Sequence, residues 1–302
     1  MSKNFIQYEL WKDCRNGCKF CTNFLQKDVD KKESLEFVLK DLDNIQGKDF
    51  DLGFIGGEFF DNQLDNDDIK ELFYKLFNKT KEKIQQGIIK RLFITVTLIY
   101  DIEKQLIPFL NYLKEIDIID KVVLCTSYDL KYRFYTKERE DLWKGNVKRL
   151  NTLYPSIKIH TQIILTSFFI DAVLTNQFNI KEFCKEYNIT IDYNEPQSGF
   201  YYTKEEMKEK LPDFYPTRSQ FINFMNKTIL QEHIINPDTF LIRELHADRL
   251  YYSFEGKQYL ITDRHKKENF YIKVAEGKNQ LGFADSDINM ADFAAEFLES
   301  LS

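Results

Sequence analysis

The first two thirds of the chain alternate between strand-like and helix-like patterns of apolar residues. Short apolar and β-branched runs predict six strands: Phe5–Leu10, Asp51–Ile55, Leu92–Ile99, Lys121–Ser127, Ile157–Leu165 and Ile189–Tyr193. Between them, apolar residues recur at helical spacing, in Leu35–Ile45, Ile69–Phe77, Ile102–Ile116, Leu142–Leu153 and Ile180–Tyr187. Strands that alternate with helices predict an α/β fold whose parallel sheet is built from right-handed βαβ units.

This alternation stops after Glu195-Pro196. The remaining sequence predicts helices at Glu205–Leu211, Ser219–Gln231 and Met290–Leu298, and a hairpin over Tyr251–Thr262 that turns at Glu255-Gly256. We therefore expect two regions: a β/α core over residues 1–195, and an α+β extension over residues 196–302 that caps the core and binds substrate.

Composition excludes some classes of protein. The 302 residues are 43% hydrophobic and 30% charged, which is ordinary for a globular protein. No apolar run approaches the ~20 residues that span a bilayer. The net charge of -6 and the pI of about 5.5 argue against a broad nucleic-acid surface. We expect neither a membrane nor a long nucleic acid as a partner.

Three of the five cysteines are crowded into one segment directly after the first predicted strand. Cys14, Cys18 and Cys21 have the spacing C-x3-C-x2-C. A four-iron cluster takes four thiolates, so three leave one iron open, and an open coordination position is where a metal site performs chemistry. The odd count, the crowding and the lack of a long apolar segment at the N-terminus disfavour disulfides and favour a reduced, cytoplasmic setting.

A structural zinc site is the main alternative for this segment. Zinc usually takes four cysteine or histidine ligands at short spacings, and no fourth ligand lies near the triplet in sequence. A zinc site would need a distant fourth ligand, from among His160, His233, His246, His265, Cys125 and Cys184. Cys125 lies in an apolar strand and Cys184 on an apolar helical face, so we expect both in the core.

Other polar residues follow the predicted strands in the same way. Gly56-Gly57-Glu58 follows the second strand, while Ser127 and Asp129 follow the fourth. Active sites of parallel β/α folds lie at the carboxyl ends of the strands. We therefore expect these residues and the cysteine segment to lie at one edge of the sheet.

Together these motifs resemble the radical S-adenosylmethionine (SAM) superfamily. The cysteine spacing matches its cluster motif, Phe20 directly before Cys21 fits the usual pattern, and Gly56-Gly57-Glu58 matches its "GGE" motif. The resemblance covers roughly residues 3–195, about two thirds of the chain. It implies a partial (β/α)6 barrel of the TIM type.

The resemblance also implies the cofactors and the reaction. Cys14, Cys18 and Cys21 would hold a [4Fe-4S] cluster whose fourth iron binds SAM. One electron, from a donor such as flavodoxin or ferredoxin, would split SAM into methionine and a 5′-deoxyadenosyl radical that abstracts hydrogen from a substrate. This chemistry belongs to the cofactors, and the protein supplies position, electrostatics and exclusion of water.

Individual residues acquire roles from the same resemblance. Glu58 would accept a hydrogen bond from the methionine ammonium of SAM, and Gly56-Gly57 would let the backbone approach closely. Phe20 would lie near the adenine. Ser127 and Asp129 are candidates for contacts to the ribose or the carboxylate of SAM.

The leading hypothesis is a radical SAM enzyme acting on a peptide, a protein or a small molecule. A second is a radical SAM enzyme for a nucleotide or a nucleic acid, since basic residues in Asp129–Arg149 and Asp263–Lys267 could line a groove beside base-stacking tyrosines. A third is a non-enzymatic, metal-stabilised binding module. No cysteine follows Cys184, so auxiliary clusters are not expected, although the segment from His246 to Ile261 faintly resembles the hairpin of auxiliary-cluster domains.

Overall fold

The computed structural model describes residues 5–11, 13–18, 30–134, 136–194, 209–224, 227–228, 249–252, 258–261 and 271–273. The strands of this part are β1 (Phe5–Glu9), β2 (Phe50–Ile55), β3 (Ile89–Thr95), β4 (Val122–Tyr128), β5 (Lys158–Ile164), β6 (Ile189–Asn194), β7 (Arg249–Tyr252), β8 (Gln258–Ile261) and β9 (Tyr271–Lys273). The helices are α1 (Lys31–Asn44), α2 (Asp67–Gln85), α3 (Leu106–Glu115), α4 (Lys137–Leu153), α5 (Ser167–Leu174), α6 (Ile180–Tyr187) and α7 (Arg218–Phe224).

All the described strands belong to one sheet, in the order β6-β5-β4-β3-β2-β1-β7-β8-β9. Strands β1 to β6 are parallel, and β7 adds to the free edge of β1 in the same direction. Strands β8 and β9 follow antiparallel. The predicted partial barrel is confirmed: six parallel strands alternate with helices, and the sheet does not close.

A layer of aromatic side chains fastens the helices to the sheet. The ring of Phe54 on β2 lies 5.3 Å from that of Phe77 on α2, and Phe77 lies 4.7 Å from Phe109 on α3. All three rings are buried, and each such burial stabilises the fold by about 1.5–3 kcal/mol. This packing fixes the strand ends relative to one another.

Strand β4 shows which side chains face the helices. Tyr128 packs 4.9 Å from Trp143 of α4, and Thr126 accepts a hydrogen bond from the indole of Trp143 at 3.1 Å. Because successive side chains of a strand point to opposite faces, Cys125 and Ser127 point away from α4, toward the other face of the sheet.

Some elements differ from the sequence-based prediction. Strand β3 ends at Thr95, four residues earlier than expected, and Leu98 beyond it has a left-handed φ of 58°. Helix α5 was not predicted, because its first residues form a continuous apolar run, Phe168–Ile170, without visible helical periodicity. The short strand β9 was not predicted either.

The C-terminal region is described only in part. The predicted hairpin is present, with Tyr252 opposite Gln258, and α7 forms the first turns of the helix predicted from Ser219. The predicted final helix, Met290–Leu298, lies outside the described residues. In the part of the chain that the structure describes, no helix is both long enough and apolar enough to cross a membrane.

Candidate functional site

The cysteine segment and the turn after β2 are joined by backbone hydrogen bonds. The amide of Gly57 donates to the carbonyl of Trp11 at 2.8 Å, and the amide of Glu58 donates to the carbonyl of Asp13 at 2.8 Å. The indole of Trp11 in turn donates to the Glu58 carbonyl at 3.0 Å. These bonds continue the β1–β2 pairing beyond the strands and fix the start of the cysteine segment.

Two glycines make these turns sterically possible. A Cβ on Gly56 would lie 2.2 Å from the carbonyl oxygen of Trp11, so only glycine allows the two backbones to approach this closely. Gly17, between Cys14 and Cys18, has a φ of 59°, in the left-handed region that glycine adopts without strain.

The Glu58 side chain is completely buried and bonded to backbone amides. One carboxyl oxygen accepts from the amides of Phe59 and Phe60, both at 2.9 Å, and the other accepts from the amide of Thr97 at 2.7 Å. Burial raises the pKa of this carboxyl, and the hydrogen bonds from Thr97, Phe60 and Phe59 oppose that rise only in part. Glu58 therefore holds the turns after β2 and β3 together.

Thr97, just beyond β3, connects three parts of the site. Besides its amide bond to Glu58, its hydroxyl accepts from the side-chain amide of Asn16 at 2.8 Å. Its carbonyl accepts from Nη2 of Arg133 at 3.1 Å. The cysteine segment, the Gly-Gly-Glu turn and the loop after β4 thus meet at one residue.

Two side chains in this network lie close to cysteine sulfurs. Nη1 of Arg133 is 3.9 Å from Sγ of Cys18, which is 6% exposed, and Nδ2 of Asn16 is 3.6 Å from Sγ of Cys14. Cys21 lies outside the described residues, and among those described no three cysteine, histidine or acidic side chains group closely enough to hold a metal ion.

Asp129 lies directly after β4, and its carboxyl is buried. Oδ1 accepts from the amides of Lys131 at 2.8 Å, Tyr132, and Arg133 at 3.3 Å. Oδ2 has no hydrogen-bond partner within the described part of the chain. Burial raises the pKa of Asp129, although the three amides and the charge of Arg133 act in the opposite direction.

A further buried polar atom in this region, Nε of Arg133, also lacks a partner among the described residues. Burial, followed by the nearby Glu58 carboxyl, raises the pKa of Tyr100. An unpartnered buried polar group costs about 1–3 kcal/mol. A polar ligand at this edge of the sheet would supply the missing partners, so the residues present fit such a ligand.

The structure thus brings together Cys14, Cys18, Glu58 and Asp129, as their strand-end positions predicted. Ser127 lies within β4 rather than after it, and Phe20 lies outside the described residues.

Sequence reasoning missed the residues that connect the site. These are Asn16, Thr97, Tyr100, Arg133 and Arg139, the last of which donates to the Asn16 carbonyl at 3.0 Å and to its Oδ1 at 2.9 Å. The position of Thr97 after the third strand was a usable signal, but the predicted strand extended too far and hid it.

The remaining described cysteines differ from each other. Cys184 on α6 is half-buried and packs against the core. Cys125 is half-buried on the face of the sheet opposite α4, where it is in register with His160 on β5. The expectation of a core position was wrong for Cys125, because strand alternation turns its side chain away from the helices.

Comparison with known proteins gives two similar solved structures. One is native anSMEcpe with bound AdoMet and Cp18Cys peptide, at 14% identity and a TM-score of 0.56, over 85% of this chain and 73% of that one. The other is Streptococcus suis SuiB bound to S-adenosylmethionine, at 14% identity and a TM-score of 0.51, over 96% of this chain and 65% of that one. No protein-family model and no curated protein matches the chain.

At 14% sequence identity, the similarity to these two structures establishes the fold only. The alternation of six parallel strands with helices and the open sheet edge both agree with it. The chain therefore has the partial-barrel α/β fold found in radical SAM enzymes.

Proposed function

We propose that the chain is a radical SAM enzyme that abstracts hydrogen from a peptide, protein or small-molecule substrate. The observation that carries this proposal is the junction at Thr97, which links the cysteine segment to the Gly-Gly-Glu turn at the carboxyl ends of the strands. The fold shared with two SAM-bound structures supports it.

The donor set fits an iron-sulfur cluster. Cys14 and Cys18, with Cys21 from outside the described residues, would hold three irons of a [4Fe-4S] cluster. Asn16 and Arg133 already direct N–H groups toward two of the sulfurs, as donors around metal-bound thiolates do. When bound, the cluster and SAM would supply one-electron cleavage of the sulfonium and a hydrogen-abstracting adenosyl radical.

The protein's own residues would bind and orient SAM. Oδ2 of Asp129 is a buried acceptor for a hydroxyl or ammonium group, and Nε of Arg133 is a buried donor for a carboxylate. Oε1 of Glu58 accepts from two backbone amides and Oε2 accepts from one. Each carboxyl oxygen has two lone pairs. Because the Glu58 side chain is completely buried, a bond from the methionine ammonium to Oε2 requires the groups that cover this carboxyl to move when SAM binds.

The proposal also covers the substrate, the electron donor, the cellular compartment and the role of the C-terminal region. A peptide or protein is the substrate class to test first, supported by the peptide in the anSMEcpe structure. A one-electron donor such as flavodoxin or ferredoxin would reduce the cluster. We place the enzyme in the cytoplasm, where thiols stay reduced, and assign residues 196–302 to capping the core and binding substrate.

The test is anaerobic SAM cleavage. The chain would be reconstituted with iron and sulfide, reduced with dithionite and mixed with SAM, and 5′-deoxyadenosine would be quantified. We expect product from the wild type and from a matched control, Cys184→Ala, whose cysteine packs on α6. Cys18→Ala should lose both the cluster and the product.

A contrary result would point to the metal-stabilised module instead. Stoichiometric zinc in the native protein, with no 5′-deoxyadenosine after reconstitution, would overturn the proposed enzyme. Full SAM cleavage by Cys18→Ala would overturn the assignment of Cys18 as a cluster ligand.

A further inference from the structure

Within the described part of this site, the charged side chain of Arg133 reaches the sulfur of Cys18. It is only 5% exposed, and arginine is rarely buried without bound partners. The turn that begins at Asp129 places it there, because Oδ1 of Asp129 accepts from the amides of Lys131 and Arg133. The loop after β4 is therefore built to present a guanidinium at this position.

The guanidinium is fixed by its contacts. Nη2 donates to the carbonyl of Thr97 at 3.1 Å, and Nη1 lies 3.9 Å from Sγ of Cys18. Because the guanidinium is planar and rigid, the bond to Thr97 sets the direction in which Nη1 points. The bond to Thr97 and the turn after β4 together place Nη1 beside the sulfur of Cys18.

A positive charge at this place changes the energy of electrons on a bound cluster. Reduction adds one negative charge to an iron-sulfur cluster, and a nearby buried cation stabilises the reduced form more than the oxidised form. Hydrogen bonds to cluster sulfurs and the local net charge are known determinants of cluster reduction potential. Arg133 supplies both a hydrogen-bond donor and a positive charge beside the proposed ligand Cys18.

We infer that Arg133 is a positioning residue that raises the reduction potential of a cluster ligated by Cys18, through its charge and its Nη1–H donor. This inference rests on the proposed function. Asn16 provides a neutral counterpart at Cys14, where its Nδ2 lies 3.6 Å from the sulfur. Arg149 on the exposed face of α4 pairs with Glu103, and it provides a control for the loss of one positive charge outside this network.

The experiment measures the midpoint potential of the reconstituted full-length protein without SAM, by an anaerobic redox titration followed by electron paramagnetic resonance. Arg133→Met removes the charge and the donor while keeping an unbranched side chain. We expect its potential to be more negative, by about a tenfold change in the one-electron equilibrium, ~59 mV. Arg133→Lys keeps the charge and should shift less, and Arg149→Met should match the wild type.

Two outcomes would overturn the inference. One is an unchanged potential in Arg133→Met. The other is an equal shift in Arg149→Met, which would mean that net charge rather than the sulfur contact sets the potential. If Arg133→Met does not retain a cluster, Arg133→Gln and Arg149→Gln provide the same comparison, and equal potentials would again overturn the inference. A wild type that binds no cluster would refute the proposed function itself, which separates the two failures.

Discussion

At the scale of single residues, the Gly-Gly-Glu turn has a structural reason that is independent of any cofactor. Gly56 lies against the carbonyl of Trp11, and Glu58 bonds the amides of neighbouring turns. Resemblance assigned both residues to SAM binding. The geometry shows that they also build the support of the cysteine segment, so substitutions here should affect the folded state before any ligand is added.

Alanine at Gly56 tests this support. Its Cβ would lie 2.2 Å from the Trp11 carbonyl oxygen, and we expect a loss of about 1–3 kcal/mol in the free energy of unfolding, as for other overpacked sites. Gly145 within α4 is the matched control, because a Cβ there meets no atom within 4 Å. Gly145→Ala should add about 0.5–1 kcal/mol, since glycine weakens helix interiors.

Urea unfolding of the metal-free protein measures both changes as shifts in midpoint at constant slope. Equal stability of Gly56→Ala and the wild type would show that the close approach at Trp11 relaxes freely, and would remove the steric argument.

At the scale of elements, a partly buried carboxylate on α4 adds to the contacts that Trp143 makes with β4. Glu140 accepts from the hydroxyl of Tyr128 at 2.7 Å and pairs with Lys144 at 2.5 Å and Lys137 at 3.1 Å. Burial raises the pKa of Glu140, but the hydrogen bonds from Lys144, Tyr128 and Lys137 outweigh it and lower the value to about 2.

The lowered pKa predicts how stability depends on pH. Because the folded state holds the Glu140 proton less tightly than the unfolded state, the stabilising contribution is present above the ordinary value of 4.5 and is lost as pH falls toward about 2. Glu140→Gln should lack this contribution, so its stability difference from the wild type should shrink between pH 4.5 and pH 2.

Denaturant titrations at several pH values would give this difference. Glu71→Gln, at an exposed position of α2, is the control and should track the wild type at every pH. A difference for Glu140→Gln that stays constant across the window would contradict the assigned ion pairs.

Most helices and strands could be predicted from the sequence, whereas the contacts that build the site could not. Five of the six core strands were predicted within one residue of their observed ends, and β3 within four, because β-branched runs and helical spacing are local signals. Helix α5 was not predicted because the apolar residues at its start show no helical periodicity. Thr97 was not recognised as a site residue because its neighbours Val96 and Leu98 extended the predicted strand past it. The roles of Asn16 and Arg133 depend on contacts between residues 36 or more positions apart, which no local pattern encodes.

At the scale of the whole molecule, the described C-terminal segments are built into the core. Strand β7 pairs with the free edge of β1, and Phe224 of α7 packs 5.5 Å from Tyr193 of β6. The amides of Ser167 and Phe168 donate to carbonyls of residues 213–214. These contacts cross the division at residue 195 that the sequence suggested, so we expect the described C-terminal segments and the core to unfold together.

Truncation tests whether residues 1–195 fold alone. We expect this fragment to be much less stable than the full chain, because it exposes the β1 edge and the apolar surface beneath Phe224, both costly in water. A fragment of residues 1–230 restores the contacts to α5 and β6 but not the strand at β1, so its stability should be intermediate. Urea unfolding and binding of a hydrophobic dye would rank the three proteins. If residues 1–195 matched the full chain in stability, the core would fold without the C-terminal segments, and β7 would contribute little to the stability of the sheet.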